Sequence, residues 1–184
     1  MSLKESNTFT KGEKAPDFEL PNTVDNKSYN LNQLKGEKGT AIFFICNHCP
    51  FVVHVNKELV EMANDYIKRG INFIAISSND ANYYPQDGPT HMKQVALDIG
   101  YPFPYLYDES QEVAKSYSAS CTLDLYLFDS ELRSVYHGQL DNSRPGNDIP
   151  VSGQDFRNAI NLLLNDQISS DKPKPSIGCS IKWK

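Results

Sequence analysis

The chain has 184 residues, a formal net charge of −5, 39% apolar residues and four cysteines. That composition suits one globular domain with a substantial core and excludes a disordered chain or a membrane-spanning bundle. The acidic balance gives no general attraction to nucleic acid or anionic lipid, and four cysteines are too few for a disulfide scaffold.

Residues 1–12 are polar, without an apolar leader segment, and no stretch reaches the roughly 18 apolar residues of a spanning helix. A soluble, cytoplasmic protein with no nucleic-acid or membrane partner is therefore expected. Residues 1–30 are rich in turn formers, and "VDNKSY" predicts a small hairpin. Asn30 or Asn32 is placed to cap at most one helical turn. "TAIFFI" is apolar without alternation, the pattern of a central strand covered on both faces. From Pro50 the apolar residues Val52, Val55, Leu59, Met62 and Ala63 recur at helical spacing, and Gly70 ends the segment. "INFIAISS" is a second buried strand. Strand, helix and strand so close together make a βαβ unit with parallel pairing.

A polar loop, "NDANYYPQDGP", follows; it is either a plain surface loop or the lining of a cleft. A helix is predicted from Pro89 or Thr90, then an extended "YPFPYLYD" and a short helix capped by Ser110. "LDLYLFD" and "ELRSVYHGQ" form a hairpin around Ser130, and a last helix starts at Ser152 or Asp155. The expected architecture is an α/β sandwich with a mixed sheet of four or five strands. It forms a single domain over 1–184, with a core at about 10–165, a small N-terminal hairpin extension and a C-terminal tail at 166–184.

The chemistry centres on Cys46-Asn47-His48-Cys49, at the end of a buried strand and the start of a helix. Unpaired amides and the helix dipole favour negative charge there, which lowers a thiol's pKa and makes the thiolate nucleophilic. Two cysteines at this spacing can also close a disulfide. The plainer alternatives are two buried thiols or structural zinc. Zinc would need two more ligands; Cys121, Cys179, His48 and His54 are conceivable, but no second C-x-x-C exists. No metal and no organic cofactor is assigned.

"KGEKAPDFEL", the strand-cysteine-helix unit, "YLYDES" and "LYLFDSELRSVYHG" together resemble the thioredoxin-like superfamily. Within it they are similar to the redoxin branch of alkyl hydroperoxide reductases and thiol-specific antioxidant proteins. "ICNHCPFV" and "KPSIGCSIKWK" resemble one largely uncharacterised subgroup. The resemblance implies a thioredoxin-like fold and thiol redox chemistry. It places the catalytic position at Cys49, with Val52 where a thioredoxin has its second cysteine. The peroxiredoxin pattern also points to Cys49, but has threonine where this chain has Cys46 and proline where it has Ile42. Those departures count against fast peroxide turnover.

Cys49 is thus the expected nucleophile, Cys46 its nearest resolving thiol, and His48 a neighbour that could stabilise the thiolate or simply face solvent. Cys121 should lie on the loop near Cys49, as a second resolving candidate or as packing. Leu123 stands where the superfamily has a cis-proline, so a trans bond is expected before it, because a non-proline cis bond costs about 2.5–4 kcal/mol. Cys179 is either a distant resolving thiol or, the favoured reading, part of an edge strand in which Ile177, Ile181 and Trp183 alternate with polar residues and Trp183 is the anchor. His54 is expected partly buried and Glu58 on a solvated face. Arg133, Arg144 and Arg157 are the candidates for activating a peroxide.

The expected activity is thiol-based oxidoreduction, with a protein disulfide or a peroxide as substrate and a thioredoxin or small thiol as reductant. The alternative is a non-enzymatic binding or chaperone-like thioredoxin fold, motivated by Leu123.

Overall fold

The computed structural model describes residues 3–8, 10–169 and 172–184. Its centre is a five-stranded sheet built from β4 (Gly39–Phe44), β5 (Ile71–Ser77), β6 (Tyr105–Tyr107), β8 (Asp124–Asp129) and β9 (Ser134–His137), in the order β6-β5-β4-β8-β9. β4 pairs parallel with β5 and antiparallel with β8, so the sheet is mixed as expected. Helices α2 (Pro50–Ile67) and α3 (Pro89–Ile99) carry the parallel crossovers. The remaining helices are the short α1 (Leu31–Leu34) and α4 (Glu112–Ser116), and α5 (Gln154–Leu164).

Every residue of β4 is buried. Ala41, Phe43 and Ile45 face one core, with Leu59, Met62, Phe103 and Phe156. Ile42 and Phe44 face the other, with Phe18, Leu106, Tyr117 and Tyr126. Burial on both sides explains why the run lacks alternation. Fully burying one such side chain is worth about 1.5–3 kcal/mol, so β4 is a fixed platform for the residues that follow it.

The predicted hairpin is β2 (Glu19–Pro21) paired with β3 (Ser28–Asn30). Asn30 caps α1 through a reciprocal capping box with Gln33. The N-cap of α4 is Gln111 rather than the expected Ser110, which stands one residue earlier and accepts from the Glu112 N–H at 3.2 Å. α5 starts behind Gly153, whose φ is +63°; a Cβ there would lie 2.4 Å from Glu58 Oε1. Among the described residues there is no cis peptide bond, so the bond before Leu123 is trans.

Two expectations are corrected. Glu58 is not on a solvated face: it is buried and pairs with Arg157, Nε to Oε1 at 2.6 Å, across the α2–α5 contact. Pairing with that guanidinium offsets the cost of burying a glutamate on the inner side of α2. The C-terminal tail does not form an edge strand either. β10 (Ile177–Ser180) is the middle strand of a second sheet, between β1 (Leu3–Glu5) and β7 (Cys121–Thr122), antiparallel to both. The close approach requires glycine: a Cβ on Gly178 would lie 1.9 Å from the Thr122 carbonyl oxygen. Among the described residues no helix is long and apolar enough to cross a membrane.

Candidate active site

Cys49 is the N-cap of α2, with Pro50 at the first helical position. Its side chain makes no capping bond to the helix amides, while its carbonyl accepts from the Val52 and Val53 N–H groups at 3.0 Å. The thiol thus sits at the positive end of a long helix, where a thiolate is favoured. Cys46 lies just beyond β4. All four cysteines are buried; Cys49 is 0% exposed and Cys46 and Cys179 are each 1% exposed, so substrate access requires a local opening.

A thiol from the far end of the chain lies against Cys49. Cys49 Sγ and Cys179 Sγ are 3.0 Å apart, across 130 residues of sequence. The register of β10 against β7 sets this up, placing Cys179 opposite Thr122. Thr122 ties the group together: its carbonyl oxygen lies 3.3 Å from Cys49 Sγ and accepts from that thiol when it is protonated, its hydroxyl oxygen lies 3.7 Å from Cys46 Sγ, and its hydroxyl donates to the Cys179 carbonyl at 3.4 Å.

The Cys46 S–H bonded to the Cys49 sulfur is the largest cause that holds the Cys49 thiol down to about 4, against the opposing effect of burial; contacts with Cys179 and Thr122 act in the same downward direction. The same hydrogen bond, together with burial and the charge of Asp87, drives Cys46 far above the ordinary thiol range. Burial and the Cys49 charge push Cys179 up to about 12. One thiolate flanked by two protonated thiols is the arrangement this favours.

Cys121 occupies the predicted loop, but its sulfur contacts the Leu123 carbonyl at 4.0 Å, and burial with the nearby Asp124 pushes its thiol up. It makes no hydrogen bond to Cys49. His48 is engaged by other residues: its Nδ1 lies 2.6 Å from Asp87 Oδ2 and 3.9 Å from Cys46 Sγ, and its ring stacks on Tyr84 at 5.5 Å. The "NDANYYPQDGP" loop therefore does line the site. Its Asp87 also accepts from the Asn47 backbone N–H at 2.9 Å and from Asn79 Nδ2 at 2.8 Å. Sequence reasoning did not single out Asp87; a buried aspartate in a proline-bounded turn carries no motif.

The three arginines are engaged elsewhere. Arg157 pairs with Glu58 and Asp65. Arg144 donates to the Asp141 and Ser143 carbonyls and to Gln139 Oε1, and Arg133 to the Gly12 carbonyl. His54 is half-buried as expected, 2.7 Å from Ser143 Oγ.

Residues 11–136 match the family described as AhpC/TSA, more than half of the chain. The chain belongs to the AhpC/TSA family. At the level of the family its role is that of a thiol oxidoreductase, on a thioredoxin-like fold. Over the whole chain it is similar to an uncharacterized conserved protein from Geobacillus kaustophilus, at 56% identity, covering 100% of this chain and 97% of that one with a TM-score of 0.98. A hypothetical protein from Sinorhizobium meliloti 1021 is similar at 42% identity, covering 98% of each chain, with a TM-score of 0.95. The AhpC/TSA fold is shared more distantly with the peroxidoxin BcpB of Mycobacterium tuberculosis, at 16% identity, 86% and 98% coverage and a TM-score of 0.61. No curated protein matches the chain.

Proposed function

We propose that the protein is a thiol–disulfide oxidoreductase whose working couple is Cys49 and Cys179. The observation that carries this reading is the 3.0 Å separation of the two sulfurs at the start of α2. The Cys49 thiolate attacks one sulfur of a substrate disulfide, forming a mixed disulfide and releasing the other sulfur as a thiolate. Cys179, having lost its proton to that leaving thiolate, attacks the Cys49 sulfur. The substrate's second thiol departs, the substrate is reduced by two electrons, and a Cys49–Cys179 disulfide remains for an external thiol to reduce. Thr122 holds both cysteines in register for the second step.

Family membership favours a second reading, in which the same thiolate attacks a peroxide oxygen and Cys179 condenses with the resulting sulfenate. One experiment separates the two. Reduced full-length protein is mixed with hydroxyethyl disulfide or with hydrogen peroxide, quenched rapidly, and its cysteines mapped by peptide mass. The expected result is a Cys49–Cys179 disulfide formed faster with the disulfide, and a mixed disulfide trapped on Cys49 in Cys179→Ser. Faster reaction with peroxide, through a sulfenate on Cys49, would select the peroxidase reading. A mixed disulfide on Cys46, or inertness to both, would overturn the couple.

A further inference from the structure

The chemistry assigned to Cys49 and Cys179 leaves a second group of reactive side chains unused. Cys46 Sγ, His48 Nδ1 and an oxygen of Asp87 all lie within 4.8 Å of one another. They come from three places: the end of β4, the turn before α2, and the short 3-10 turn at Pro85–Asp87. The side chains of Asp87 and Cys46 are buried, whereas the His48 side chain is 21% exposed, which leaves a way in from solvent.

The geometry of His48 is not that of a catalytic relay. In a Cys–His–Asp relay the two ring nitrogens divide the work, one facing the thiol and the other the carboxylate. Here the same atom, Nδ1, faces both, at 3.9 Å from the sulfur and 2.6 Å from the carboxylate. One N–H cannot serve both partners. A cation at the point where the three donor atoms converge can.

The surroundings orient each donor. Asn79 and the Asn47 backbone N–H fix the Asp87 carboxylate. Tyr84 stacks on the imidazole with an interplanar angle of 2°. Tyr105 OH and the Gln86 carbonyl hold Asn47, and with it the turn carrying His48, at 3.1 and 2.7 Å. Outer partners that fix ligand rotamers in this way are a regular part of metal sites.

We propose that the reduced protein binds one zinc ion through Cys46 Sγ, His48 Nδ1 and Asp87 Oδ2, with water as the fourth ligand. The donor set of one thiolate, one imidazole and one carboxylate suits zinc, at bond lengths of about 2.0–2.3 Å. With those bonds the sulfur and nitrogen ligands stand about 3.6 Å apart, close to their present separation, and the short Nδ1–Oδ2 contact opens as the cation replaces the shared proton. Binding releases the Cys46 thiol proton, and the neutral imidazole carries its remaining proton on Nε2. A bound zinc withdraws Cys46 from disulfide exchange but leaves Cys179 available. The site goes beyond the Cys49–Cys179 couple, and its test reads metal binding rather than the couple's disulfide chemistry.

The test uses metal-stripped, reduced full-length protein. Zinc is titrated against a chromophoric chelator, and cobalt(II) is substituted for a spectrum. The expected result is one ion per chain, with a thiolate-to-cobalt charge-transfer band and the strong visible bands of tetrahedral cobalt. Cys46→Ser removes the charge-transfer band. His48→Ala and Asp87→Asn each weaken zinc at least tenfold, and Cys121→Ser changes neither readout. His48 is the most exposed of the three ligands, so its variant tests the site even if the buried ones unfold. Absence of stoichiometric binding overturns the proposal. So does a charge-transfer band that survives Cys46→Ser and vanishes in Cys49→Ser or Cys179→Ser, which would put the ion on the other thiol pair.

Discussion

Gly178→Ala is the perturbation that bears most directly on how Cys179 reaches Cys49. A Cβ at this position would lie 1.9 Å from the Thr122 carbonyl oxygen, 2.6 Å from the Thr122 carbonyl carbon and 2.8 Å from the Leu123 nitrogen. All three are backbone atoms, so no side chain can swing aside, and β10 must move away from β7. That pairing consists of Cys179 opposite Thr122 and Ser180 opposite Cys121. A shift of about 1 Å costs a positioned reaction on the order of 100-fold, so the step closing Cys49–Cys179 should slow by about that factor. Overpacking of this kind also costs about 1–3 kcal/mol. For a chain of this length, each kcal/mol lowers Tm by about 2–4 °C. The assay is stopped-flow oxidation of the reduced protein by hydroxyethyl disulfide, with the mixed-disulfide intermediate followed by rapid-quench mass spectrometry. The mixed disulfide on Cys49 should accumulate in the variant, with its formation rate the same as or faster than in the wild type. Wild-type closure kinetics with an unchanged Tm would refute the argument that β10 holds the resolving thiol in place.

Other outcomes follow from the same geometry. With Cys49 held down to about 4, its alkylation by iodoacetamide should be nearly independent of pH across the neutral range and fall as pH drops through about 4, the thiolate being the reactive form above that pKa; a rate that climbs through about pH 8.5, as for an ordinary thiol, contradicts it. Glu58→Ala removes the 2.6 Å contact with Arg157 and should lower stability by about 1.5–3 kcal/mol, read as a shift in the urea midpoint. Asp124 is buried, 2.6 Å from His137 Nε2, and accepts from the Ser120 N–H at 3.2 Å. Asp124→Ala should therefore cost about 2–5 kcal/mol by the same measurement, because it takes an acceptor from buried donors; a loss under about 1 kcal/mol would contradict that.

The sequence by itself determined the local elements and the position of Cys49 at a helix start. "TAIFFI" reads as a strand covered on both faces, and the strand is wholly buried. Pro50 marked the first position of α2 and made Cys49 its N-cap. These features depend on neighbours within a few residues, where periodicity, proline and helix ends leave a direct trace. The fate of Glu58 was not legible in the same way, because its burial depends on Arg157, 99 residues away on α5.

The partners of the cysteines were decided by tertiary structure alone. Within the chain Cys46 is the near neighbour of Cys49, yet the sulfur 3.0 Å from Cys49 belongs to Cys179, 130 residues on. Asp87, 40 residues beyond Asn47, receives that residue's N–H and faces His48. Alternation in the tail suggested an edge strand, since a residue pattern records which side is buried but not which strands lie alongside. Only the insertion of β10 between β1 and β7 brings the C-terminal thiol to the helix start, and it does so because Gly178 has no side chain to keep the two backbones apart.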